Sequence, residues 1–163
     1  MFKSGDTVLY GSEGVCKITE ITTKKFGNDD IEYYILSPVF RSSSTFFVPT
    51  QNEKLTSKMH HLLTLDKIMQ IIENSTQDDA WIENESLRKE SFRSVLSSGE
   101  MQSIVSVYKC IVRHKEEIEL TGKKLHKHDE IIYKDAHRII YEQLSMFMDL
   151  SKDDVENIVL CKK

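Results

Sequence analysis

The chain has 163 residues, of which 39% are hydrophobic and 29% are charged, and its formal net charge is −4 at pH 7. This length suits one ordinary domain or two small ones, and the composition is typical of a globular protein and excludes a disordered chain. No apolar run is long enough to span a bilayer, and the first residues lack the apolar core of a signal peptide. We therefore expect a cytoplasmic protein with no membrane partner.

The turn-forming residues divide the chain into two parts. Both prolines and four of the six glycines fall within the first 49 residues, and only Gly99 and Gly122 follow. Such a change is typical of a domain boundary, which we place near residues 52–64. The sequence therefore predicts a first domain over residues 1–55 and a second over residues 60–163.

The first part has the pattern of short strands. Alternating, β-branched segments are separated by glycine turns, which indicates four or five strands. The predicted strands cover residues 7–10, 15–22, 32–36 and 45–48. Strands this short, joined by tight turns, predict a small, strongly bent antiparallel sheet or SH3-like barrel.

The second part has the pattern of helices. Apolar residues recur at helical spacing in four segments, residues 65–72, 87–96, 101–118 and 132–147. Leu87 and Phe147 belong to these predicted inward faces, Gly99 and Gly122 are predicted helix ends, and residues 151–154 resemble a capping box. The sequence thus predicts an α+β protein, a small sheet followed by a compact bundle of about five helices.

Neither the cysteines nor the histidines form a recognisable reactive site. The spacing of His126, His128 and Asp129 matches no familiar set of metal ligands, and exposed, solvated histidines explain the pattern better than a metal site does. Solvated surface charge also explains the pairs His60–His61, Asp29–Asp30 and Asp78–Asp79. The three widely spaced cysteines, Cys16, Cys110 and Cys161, are predicted to be small apolar residues in a reducing compartment. We expect a binding protein, not an enzyme, with no catalytic residue, metal, cofactor or small-molecule substrate.

A basic segment interrupts this acidic chain. Residues 86–127 hold nine Lys or Arg residues against five Asp or Glu residues. Such a block on an acidic protein is a candidate phosphate-facing patch. A solvated surface explains any one of these cations equally well, but as a cluster they favour DNA; the candidates are Arg88, Lys89, Arg93, Lys123, Lys124 and Lys127.

The opening stretch "FKSGDTVLYGSEGVCKITEI" closely resembles the start of the CarD family of bacterial RNA-polymerase-binding regulators, whose first domain is Tudor-like. The family signature "GD-VVY--HG---I--I" is carried by Gly5, Asp6, Val8, Tyr10, Gly14, Ile18 and Ile21. The segments "EYYIL", "FFVPT" and "RKESFRSVLSSGE" follow in family order. The resemblance therefore covers nearly the whole chain.

This resemblance implies a regulator that binds polymerase and DNA together. The first domain would dock on a lobe of the RNA polymerase β subunit, and the helical domain would contact promoter DNA at the upstream edge of the transcription bubble. An exposed sheet edge offers a physical means of docking, because a partner can add a strand to it. An adaptor that binds a protein and never touches DNA is the alternative, and an enzyme using His126 and His128 is a remote third.

The resemblance also implies particular contact residues. The basic residue that precedes "VP" in the family is replaced by Phe47 here, which leaves Lys24 as the matching cation, and the predicted polymerase-binding set is Lys24, Thr45, Phe46 and Phe47. Since neighbouring strand residues face opposite sides, we expect only one of the two aromatic rings to be solvent-accessible. Trp81 is either the wedge that enters an unstacked base step or a packing residue between the domains.

Overall fold

The computed structural model describes residues 1–41, 44–75 and 81–161. Within these ranges, five strands precede the long helices, which confirms the predicted α+β class. The strands are β1 (Thr7–Tyr10), β2 (Val15–Phe26), β3 (Asp29–Pro38), β4 (Phe46–Pro49) and β5 (Met59–His61). The helices are α1 (Glu53–Thr56), α2 (Leu65–Asn74), α3 (Glu85–Ser98), α4 (Met101–Glu119), α5 (Lys127–Ser145) and α6 (Lys152–Val159).

The strands form one antiparallel sheet in the order β4-β3-β2-β1-β5. The β2–β3 hairpin is longer than predicted, and it turns at Gly27, whose φ of 67° is readily adopted by glycine. The sequence analysis missed β5, because Met59–His61 has neither β-branched residues nor alternation. This strand pairs with β1, so the sheet continues beyond the predicted limit at residue 55.

Two of the long helices, α3 and α4, are followed by a glycine that permits a left-handed turn. Gly99 is the C-cap of α3 with φ 74°, as predicted. After α4, the N–H of Gly122 donates to the Glu119 carbonyl at 3.0 Å and the N–H of Lys123 to the Ile118 carbonyl at 3.1 Å. This pair of bonds is a Schellman motif, which closes the helix three residues beyond its last regular turn.

Two predicted core positions are wrong. Leu87 points to solvent with 58% of its surface exposed, and Arg88 takes the inward position instead, one turn before Phe92. Phe147 lies after the last residue of α5 and is 46% exposed. Leu87 was assigned to the inward face, but the helix turns it outward. Phe147 was assigned to α5, but the helix ends before it.

The sheet and the helices share a hydrophobic core. Leu9 and Val15 are buried in the same cluster as the inward faces of α2 to α6. A second cluster, which includes Val8, Ile18 and Leu36, fills the other side of the sheet. Apolar burial across the boundary therefore fixes the helices on the sheet.

Polar contacts also hold the sheet and the helices together. We give the name sheet–helix junction to the region formed by Glu142, Arg138 and the backbone from Ser12 to Val15. The buried carboxylate of Glu142 on α5 accepts a hydrogen bond from the backbone N–H of Val15 at 2.9 Å and one from Arg138 Nη1 at 3.2 Å. Arg138 Nη2 donates to the Ser12 carbonyl at 2.7 Å. Gly14 lies so close that a β-carbon there would come within 2.0 Å of the Glu142 carboxylate. The close approach accounts for a glycine at this position.

Candidate functional site

The outermost strand of the sheet, β4, pairs only with β3 among the described residues, so its other edge is unpaired there. The backbone N–H of Thr50 donates to the Glu32 carbonyl of β3 at 2.9 Å, just after the strand ends. Bonded and non-bonded pairs alternate in an antiparallel ladder, so Val48 and Phe46 also bond toward β3. The N–H and C=O of Phe47 therefore point away from the sheet, where they can pair with an added strand.

The two aromatic rings of β4 lie on opposite faces, as expected from alternation. Phe46 is partly buried against the sheet core, 6.1 Å from the Tyr10 ring. Phe47 is 48% exposed, and its ring lies edge-on to Tyr33 at 6.4 Å with Lys24 Nζ 4.3 Å from its centre. Such contacts hold the exposed ring in one orientation.

The predicted polymerase-binding set is therefore split between two faces. Lys24 and Phe47 meet on the outer face of the hairpin, and Thr45 is exposed just before β4 begins. Phe46 supports the strand from behind and does not share that surface.

Arg88 is a buried structural residue rather than an exposed cation. Its Nε and Nη2 donate to the two carboxylate oxygens of Asp129 on α5 at 2.9 and 2.8 Å. Its Nη1 donates to the carbonyls of Ile82 at 2.7 Å and Glu83 at 3.2 Å. The hydrogen bond to Asp129 raises the pKa of the guanidinium further above its usual range. With these donors engaged, Arg88 cannot serve the predicted phosphate contact, and that assignment is corrected.

Asp129 has a role that the sequence analysis did not predict. The sequence placed it beside His126 and His128, and the structure shows that it is the buried ion-pair partner that joins α5 to α3. The sequence contained a signal for the burial of Arg88, because Arg88, Phe92 and Leu96 recur every four residues along the inward face of α3. A cation in such a series requires an acidic partner from another element.

Trp81 packs within the helical part of the molecule. Its ring stacks on His114 of α4 with 3.5 Å between centres and an angle of 17°. It meets Phe92 edge-on at 6.3 Å, and the Arg88 guanidinium lies 4.2 Å from its centre. These partners belong to α3 and α4, so the ring is half-buried between those helices and not between the sheet and the bundle.

The remaining predicted DNA-facing cations lie on α3, in the loop after α4 and at the start of α5. Arg93, Lys123, Lys124 and Lys127 are exposed and Lys89 is partly exposed. His126 lies 3.3 Å from the Glu85 carboxylate, and this contact brings the loop before α5 to the start of α3. Since Lys89 and Arg93 follow Glu85 at four-residue steps, they continue along the same helix face. We call the five cations the basic surface.

The structure shows the surroundings of the histidines, cysteines and paired aspartates that were considered in the sequence analysis. His60 is not a plain surface residue, since its Nε2 lies 2.7 Å from the Ser98 carbonyl between β5 and α3. Among the described residues, no group of three or more His, Cys, Asp or Glu side chains is arranged to hold a metal ion.

Burial raises the pKa of Cys16 to about 12 and that of Cys110 to about 11, whereas Cys161 is exposed. Asp29 and Asp30 lie at the hairpin tip; Asp78 and Asp79 fall outside the described residues.

Within the described ranges, no helix is both long enough and apolar enough to cross a membrane.

Comparison with known proteins identifies the class of the sheet domain. Residues 2–61, which span the sheet from before β1 to the end of β5, match the family of the CarD-like/TRCF RID domain. The chain is also 22% identical over 162 residues to "Putative transcription factor YdeB" of Bacillus subtilis (strain 168), with 96% of this chain and 99% of that protein covered.

Residues 2–61 therefore resemble a CarD-like domain, and the resemblance predicted from the sequence is confirmed. Together the two findings support a transcription-related, RNA polymerase-interacting protein. The matched family is a family of interaction domains and not one of enzymes.

Proposed function

We propose that the protein is a cytoplasmic transcription regulator that holds RNA polymerase and promoter DNA together. The sheet domain binds the polymerase β subunit, and the basic surface contacts DNA at the upstream edge of the bubble, which alters the stability of the open complex. The observation that carries this proposal is a match to the CarD-like domain in which the outermost strand, within the part of the chain that the structure describes, has a free edge beside the exposed ring of Phe47.

The polymerase contact uses backbone and side chain together. An extended segment of the β subunit pairs with the outward N–H and C=O of Phe47, and the aromatic ring anchors it from the outer face. Lys24 keeps that ring in place and adds a positive charge, while Thr45 extends the edge at its beginning. Phe46 contributes indirectly, because its packing on the sheet core fixes β4.

The DNA contact is electrostatic. Lys89, Arg93, Lys123, Lys124 and Lys127 neutralise backbone phosphates and release counterions, so this contact weakens as salt rises. The net charge of −4 keeps free DNA affinity low. Binding to polymerase overcomes this weakness, since it raises the effective concentration of the basic surface at the promoter.

Trp81 is the proposed wedge at the bubble edge. Insertion between bases requires the ring to leave its stack on His114, and the base stack then replaces the lost contact. The guanidinium of Arg88, held in place by its ion pair with Asp129, packs against the Trp81 ring and positions it. Arg88 does not itself bind phosphate.

An adaptor that never touches DNA is the second candidate. The burial of Arg88 favours it, because one of the six predicted DNA-facing cations is lost to the core. The two functions differ in whether DNA strengthens the binding of this protein to polymerase.

The experiment that tests polymerase docking is a substitution of Phe47→Ala in the full chain, measured by binding to purified RNA polymerase. We expect at least about a tenfold loss of affinity, because an exposed aromatic anchor is lost, with little change in melting temperature. Phe26→Ala is the matched control, since Phe26 is 75% exposed at the tip of the same hairpin and should bind like the wild type. Equal binding by all three proteins would contradict the proposed docking edge.

A further inference from the structure

The sheet edge ends in an open groove. β3 continues to Asp29 at the hairpin tip, but β4 stops at Pro49, and the chain then turns away at Asn52, whose side chain caps α1. The groove left beside the unaccompanied end of β3 has a volume of about 890 Å³. Its lining includes Asp30, Ile31, Glu32, Pro49 and Glu53.

The groove is negatively charged. Its three carboxylates, those of Asp30, Glu32 and Glu53, are all exposed, and none forms an ion pair within the described parts of the chain. Lys25 lies opposite Asp30 on β2 and offsets one of these charges. In the same register Thr23 lies opposite Glu32 and Lys25 is its diagonal neighbour, so one lysine of β2 shares the face of Asp30 and Glu32.

The apolar part of the groove lies next to these charges. Ile31 and Pro49 form its apolar lining, and Pro49 has no N–H to offer a neighbouring strand. The carbonyl of a partner strand therefore finds no backbone donor at Pro49, and the partner segment continues through side-chain contacts. A lysine or arginine fits such a surface, because its methylene stem covers apolar groups while its head remains near carboxylates.

We propose that the polymerase segment that pairs with β4 carries a lysine or arginine just beyond the paired residues, and that its charged head binds between Glu32 and Glu53. This inference rests on the proposed function, since it concerns the same docking edge. The occupant is an extended, basic protein segment. Nucleic acid does not fit, because the carboxylates repel phosphate.

The test uses the full chain and purified RNA polymerase at several salt concentrations. In the double variant Glu32→Lys/Glu53→Lys, we expect affinity to fall at least about tenfold and to depend less on salt, because an attractive charge pair becomes repulsive. The control is Glu73→Lys/Glu90→Lys, which makes the same change of net charge at two exposed helical positions and should alter affinity less than about twofold. A melting curve verifies folding, and Glu32→Gln/Glu53→Gln, with a smaller loss, serves if the lysine variant does not fold.

The outcomes separate this inference from the function on which it rests. If Phe47→Ala loses affinity but both glutamate variants bind like the wild type, the acidic groove is not part of the interface and the inference is wrong. If the lysine variant binds more tightly, the partner segment is acidic, which also overturns it. If the wild-type chain does not bind polymerase at all, the proposed function fails and the inference falls with it.

Discussion

Arg88 was predicted to contact DNA, but the structure places its side chain in the core. It lies one turn before Phe92 on the inward face of α3, and this position determines its role. A guanidinium buried there requires the two carboxylate oxygens of Asp129 as partners. Lys89, the next residue, keeps part of its surface exposed and remains available to DNA. One step along a helix rotates a side chain by about 100°, which separates these two roles.

We predict that Arg88→Ala lowers the free energy of unfolding by about 3–5 kcal/mol, because it leaves the Asp129 charge buried without a partner. Thermal or denaturant unfolding measures this loss. The fluorescence of Trp81, the single tryptophan, should change as well, since the guanidinium lies 4.2 Å from its ring. Lys89→Ala is the matched control and should lie within about 0.5 kcal/mol of the wild type. Equal stability of the two variants would show that the ion pair does not hold α3 to α5.

At the scale of elements, local signals predicted most of the structure. Gly99 and Gly122 marked helix ends because few other residues adopt a positive φ easily, and the alternation of Phe46 and Phe47 gave their opposite faces. The strand β5 could not be predicted, since its residues pair with β1 only after the chain has folded back. The stack of Trp81 on His114 depends likewise on tertiary packing and has no local pattern.

The basic surface leads to a prediction about salt. Lys123→Glu/Lys124→Glu should reduce the slope of log affinity for DNA against log salt by about 2, because two phosphate contacts release roughly 0.9 counterions each. Fluorescence anisotropy with forked promoter DNA over a salt series measures the slope. The control Lys17→Glu/Lys54→Glu alters two exposed lysines of the sheet domain and should leave the slope unchanged. An unchanged slope in the first variant would favour the adaptor.

At the scale of the whole molecule, the sheet–helix junction joins the sheet, the proposed polymerase-binding part, to the helices that carry the basic surface. Glu142, Arg138 and the backbone from Ser12 to Val15 form a buried polar network beside the shared core. A fixed geometry matters for tethering, because effective concentration is high only where both surfaces can bind at once.

We expect Gly14→Ala to weaken this junction. Its β-carbon would lie 2.0 Å from the Glu142 carboxylate, so the variant should lose about 2–4 kcal/mol of unfolding free energy. Gly14 also has ψ −152°, a conformation that only glycine adopts easily, so the control is Glu142→Ala, which removes the carboxylate that the new β-carbon would meet. Chemical unfolding compares Gly14→Ala in the wild-type chain and in Glu142→Ala, and an equal loss in both backgrounds would mean that backbone strain, and not the junction, dominates.

The central claim is that one molecule contacts polymerase and promoter DNA together, and one binding measurement tests it most directly. The chain is labelled at Cys161, the exposed thiol, and its affinity is compared for polymerase alone and for polymerase on forked promoter DNA. We predict about tenfold tighter binding to the polymerase–DNA complex, and Lys123→Glu/Lys124→Glu should remove that gain while binding to polymerase alone persists. Equal affinity of the wild-type chain for both would contradict the claim and leave a protein that binds polymerase without touching DNA.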